Sequence, residues 1–124
     1  MRGVAFWFFF SAALYVAVGM AFGIYMAASH DHQLAPVHGH LNLIGWVSMA
    51  IFGMFYQLVP RAAESRLAKV HFALATLGLW LIVPGIALAM QGRTEALAQA
   101  GSLVTIAAML LFVFIVARSR LPAG

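Results

Sequence analysis

Four apolar runs, residues 4–28, 37–59, 68–90 and 96–117, fill most of this 124-residue chain and carry one formally charged side chain between them, Lys69. About 20 helical residues at ~1.5 Å rise span the hydrocarbon core of a bilayer. Lipid offers no partner to a bare N–H or C=O, so only helices or a closed barrel can cross it. A barrel would need alternating polarity, which these runs lack. The expected fold is therefore all-α and integral to a membrane: a single domain over 1–124, with four helices in up-down order. A soluble domain would need a polar surface, and a chain that is 65% hydrophobic and 8% charged, with a mean hydropathy of +0.98, cannot supply one. The first run, with Arg2 and Ser11-Ala12-Ala13, has the outline of a signal peptide but continues well past an ordinary h-region, and is read as a retained helix.

The pI of about 10.4 points to topology rather than to a nucleic-acid partner. Six of the seven basic residues (Arg2, Arg61, Arg66, Lys69, Arg118 and Arg120) fall on one side of the expected bundle and only Arg93 on the other. By the positive-inside bias both termini are expected to be cytoplasmic, in a bacterial inner membrane, with the segment 29–36 on the outer face. The absence of cysteine removes disulfides, thiolate metal sites and thioether-linked haem.

Local signals agree with these limits. Pro36 suits a helix first turn and Pro60 closes the second run, whereas Pro84 beside Gly85 lies inside the third and predicts a kink. Gly19 and Gly23 form a small-xxx-small pair that lets another helix approach closely. Tyr25, Trp46, Tyr56 and Trp80 are expected as interfacial anchors or packing groups.

Polar residues are scarce enough here to be informative. His30, His32, His38 and His40 cluster between the first two runs, and ionisable groups at membrane depth are functional candidates. At ~100° per residue His38 and His40 point to nearly opposite sides of a helix, so they are not expected to share one ion. His40 shares a stripe with Leu43, Ile44, Val47, Ile51 and Met54, and His38 shares one with Asn42, Gly45, Met49 and Gly53. His71, near the cytoplasmic start of the third run, is separated from His40 by roughly 25 to 30 Å of helix. It is expected either to snorkel or pair with Glu64, or to mark a second haem. The outer cluster also permits a metal reading: imidazoles with Met26 and Met90 suit copper, and imidazoles with Asp31 suit zinc.

The run His40-Leu41-Asn42-Leu43-Ile44, continuing through Gly53 to Tyr56 and Leu58-Val59-Pro60, resembles the second helix of the haem-copper oxidase main subunit, particularly its nitric oxide reductase branch. Taken from His38, His-Gly-x-Leu-Asn resembles the same helix in some oxygen-reducing members. The whole chain resembles small four-helix proteins grouped with cytochrome c oxidase subunit I, through Pro36 to Val47 and Val70-His71-Phe72. The resemblance implies that His40 or His38 is an axial ligand of a haem b, with His71 a further cofactor candidate.

The late helices that complete an oxygen-reducing site in that family have no counterpart here, so no enzymatic turnover is expected of the chain alone. Asp31, Glu64 and Glu95 lie in three separate loops and form no carboxylate pair, and no nucleophile elbow or phosphate loop is present. The expected function is haem binding for electron transfer or gas binding, in a homo-oligomer that supplies the missing ligand and serves a redox partner. The alternatives are an outer-face copper or zinc protein, with His30, His32, His38 and His40 as metal ligands, or an assembly partner of a respiratory complex.

Overall fold

The computed structural model describes residues 1–120. Four helices are long and apolar enough to cross a membrane: α1 (Gly3–Ser29), α2 (Ala35–Leu58), α3 (Arg66–Met90) and α4 (Ala96–Arg118). Their ends fall within two residues of the hydropathy boundaries. One turn of helix, Pro60–Ala63, joins α2 to α3, and the Ser65 hydroxyl caps α3 by accepting the Ala68 N–H at 3.2 Å. No strand occurs among the described residues.

The helices pair as two hairpins, α1 with α2 and α3 with α4. Small residues let α3 and α4 approach to backbone contact. A methyl group added at Gly85 would lie 2.5 Å from the Ala98 nitrogen, and one at Gly101 would lie 2.5 Å from the Ile82 nitrogen. The α3 contribution is a buried stripe of Ala68, His71, Ala75, Gly78, Ile82 and Gly85, whose 3,4,3,4,3 spacing is a helix seam. Pro84 sits within α3, which continues beyond it to Met90. The large side chains wholly withdrawn from the surface, Phe8, Met49, Tyr56, His71 and Leu79, fill the space between the hairpins. Leu43, Ile51, Leu103 and Leu110 remain more than half exposed. Such an apolar exterior is stable only against lipid or another apolar surface.

Helix α2 changes winding along its length. Leu41–Ser48 is π-helical, with α-helix before and after it, and the Ser48 hydroxyl follows the wide turn by donating to the Leu43 carbonyl, five residues back, at 3.1 Å. Five-residue turns in place of four slip the helix phase by about one residue, ~100°. The two stripes nevertheless hold through it: Gly45, Met49 and Gly53 are buried while Leu43, Val47, Ile51 and Met54 are exposed, with Ile44 half-buried against the core. Ahead of Leu41, Val37 is the buried residue, and His38 and His40 are each half-buried.

Candidate functional site

The histidines of α2 are held differently. His40 Nδ1 lies 2.8 Å from the Pro36 carbonyl. A carbonyl only accepts, so Nδ1 carries the proton and Nε2 keeps its lone pair. This is the arrangement of a ligating histidine, in which a bond to one nitrogen orients the ring and leaves the other for a metal. The partner is the helix's own carbonyl rather than Asp31, whose carboxylate instead closes a local turn by accepting the Gln33 N–H at 3.0 Å.

His38 is turned into the α1–α2 interface. Its Nε2 is 3.0 Å from the Gly19 carbonyl and 3.2 Å from the Asn42 amide. Nε2 carries at most one proton, so it either donates to the Gly19 carbonyl or accepts from the Asn42 amide, and the Asn42 oxygen is buried without a partner. The expected close approach at Gly19 and Gly23 serves these side chains. A methyl group at Gly19 would collide with Asn42, and one at Gly23 would lie 3.2 Å from His38 Nε2. The small-residue face thus admits α1 rather than something flat, since Gly45 and Gly53 similarly meet Tyr15 and Phe9. The only unpaired nitrogen left to His38 is Nδ1, which is close to its own backbone and poorly placed for a macrocycle.

His30 and His32 are exposed. His30 terminates α1 in the left-handed conformation, φ +57°, a role its side chain does not need a ligand to fill. Among the described residues, no three His, Asp or Glu side chains come together as a metal-holding group. Comparisons with protein-family models, curated proteins and solved structures gave no match to the chain.

A second polar centre lies at the other end of the bundle. His71 is fully buried, so it neither snorkels nor turns outward to Glu64, because its position on the small-residue seam of α3 points it inward. Its Nδ1 is 2.8 Å from the Tyr56 hydroxyl, and Nε2 has no hydrogen-bond partner. The rings of Phe8, Phe52 and Phe112 pack around the imidazole with centroids 5.0, 4.5 and 5.2 Å away. With Tyr56 donating to Nδ1, a neutral ring carries its proton on Nε2, where the surrounding aromatic rings offer no conventional acceptor. Sequence reasoning had placed Tyr56 only as an anchor or packing group and missed the three phenylalanines. The periodic run Ala68, His71, Ala75, Gly78 was the available signal that His71 faces inward.

Tyr56 joins the hairpins near the chain termini, and a second cross-hairpin bond joins them near mid-helix, where Trp80 Nε1 donates to the Tyr15 hydroxyl at 3.0 Å. Tyr25 and Trp80 are both well exposed, whereas Tyr56 is a core residue.

Proposed function

We propose that this integral membrane protein binds haem b through His40 and acts in electron transfer or in haem or gas binding, not as a self-sufficient enzyme. The observation that supports the reading is the Pro36–His40 bond, which leaves Nε2 as a free lone pair on a half-exposed ring while His38 is occupied with α1. An iron porphyrin would supply one-electron redox chemistry or a site for a diatomic gas. Within one protomer His40 is a single ligand, and the exposed apolar side chains of Leu43 and Val47 continue outward from that end of α2. The fit is therefore to a macrocycle held against the outside of the bundle and completed by a second copy, so the proposal includes a homo-oligomer. Both termini are placed in the cytoplasm of a bacterial inner membrane, with His40 toward the outer face, on the asymmetry of the basic residues.

The test is an optical spectrum and metal analysis of protein expressed with ample haem. A b-type spectrum that His40→Ala abolishes or converts, and that His30→Ala and His32→Ala preserve, supports the proposal. A colourless protein carrying stoichiometric copper or zinc refutes it, and so does a spectrum lost only on changing His71.

A further inference from the structure

A groove of about 430 Å³ opens on the side of the bundle where α1, α2 and α3 meet, within the range of small-molecule sites. Apolar side chains including Val18, Leu41 and Val83 line it, together with Tyr15, Trp80 and Ser11, whose hydroxyl makes no hydrogen bond to Tyr15. His40 does not line it, although its neighbour Leu41 does. Trp80 is 61% exposed near the middle of α3, although tryptophan in membrane proteins concentrates at the headgroup level. Its indole stands edge-on to Tyr15, with ring centroids 6.4 Å apart at 63°, and its N–H is spent on the Tyr15 oxygen.

That bond fixes what the groove offers. The Tyr15 oxygen accepts, so the Tyr15 O–H proton remains to be given, and no hydrogen bond among the described residues uses it. Tyr15 is near the middle of α1, where the bilayer holds no water to take that proton. An unmet donor in such surroundings is destabilising, because neither water nor hydrocarbon offers it an acceptor. Hydrocarbon tails would fill the groove but leave the donor unmet. An occupant that satisfies it must be lipophilic, flat enough to lie against the indole, and equipped with a hydrogen-bond acceptor.

We infer that this groove is a binding site for a lipophilic quinone, with the Tyr15 hydroxyl donating to a ring carbonyl and the Trp80 indole lying along the ring. The inference does not depend on haem at His40, and either can fail without the other.

The test uses protein in lipid nanodiscs with Trp7→Phe and Trp46→Phe, so that fluorescence reports Trp80 alone. A short-tailed naphthoquinone is titrated against a naphthalene of the same tail that lacks the carbonyls. The expected result is saturable quenching by the quinone, no competition from the naphthalene, and affinity at least about tenfold weaker in Tyr15→Phe. The carbonyl stretch of the bound quinone should lie at lower frequency than that of the free compound, and this shift should disappear in Tyr15→Phe. Quenching that rises linearly without saturating, equal competition by the naphthalene, or unchanged affinity in Tyr15→Phe would each overturn the assignment.

Discussion

Removing the Tyr56 hydroxyl, as in Tyr56→Phe, tests whether the His71 centre is an energetic link between the hairpins or two side chains that happen to touch. The bond is 2.8 Å long between groups with almost no exposed surface. Its loss leaves both ring nitrogens of His71 without partners, since Nε2 has none already. Interhelical hydrogen bonds in membrane proteins average about 0.6 kcal/mol, with a maximum near 1.7. Leaving a buried group unpaired costs about 1–3 kcal/mol. Tyr56→Phe should therefore destabilise by about 1–2 kcal/mol. His71→Leu, close to volume-conserving, should cost less in polar terms, because it orphans one group, the Tyr56 hydroxyl, where Tyr56→Phe leaves two ring nitrogens unpaired. The double variant has neither partner to orphan. Its cost should fall below the sum of the single costs by about 1 kcal/mol. Steric-trapping or denaturant titration in mixed micelles measures all three. If the double variant equals the sum of the singles within about 0.3 kcal/mol, the bond carries no coupling and the argument from orphaned nitrogens is wrong.

The close approaches of the helices and the proposed shared haem can be tested separately. Gly85→Ala places a methyl group 2.5 Å from the Ala98 backbone nitrogen, so α3 and α4 must separate, and a loss of about 1–3 kcal/mol should appear in the same titration; an unchanged midpoint would contradict the packing. Gly19→Ala should be similarly harmful because of Asn42, and Asn42→Ala in the same chain should restore most of the loss; failure of that rescue would mean that the clash is not with the amide. Cross-linking in mild detergent, with and without haem, should show oligomers whose abundance rises with haem loading, and a monodisperse monomer retaining full haem would contradict the shared site.

Helix number and extent were legible in the sequence because hydropathy over ~20 residues needs no knowledge of neighbours. The faces of α2 below Leu41 were legible too, since Gly45, Met49 and Gly53 recur at helical spacing. The opposed orientations of His38 and His40 were legible as well, because His38 faces α1 together with Asn42, Gly45 and Gly53. A constant ~100° per residue carries no information about where the backbone adopts a wider turn, so neither the winding of Leu41–Ser48 nor the inward placement of Val37 could be read from it. His71 was readable in principle from the alanines and glycine in register with it, but the nearby Lys69 suggested an interfacial residue. The Tyr15–Trp80 pair joins residues 65 positions apart, and no local pattern announces such a contact. Likewise, Gly19 and Gly23 announced a close approach without saying that side chains, rather than backbone, would occupy it.

The wide turn of α2 also bears on how the chain tolerates a change in length. A π segment accommodates one residue more than an α-helix between the same two ends, so Leu41–Ser48 holds a spare residue. Excising Leu43 should let the segment rewind as α-helix while Val37 and Met49 keep facing the interior. The same excision at Leu77, inside the regular winding of α3, would turn everything beyond it by ~100° and carry Ile82 and Gly85 away from α4. The half of the molecule that bears the histidine pair is thus the half able to absorb a deletion, and comparing the folded yields of the two shortened chains would show it.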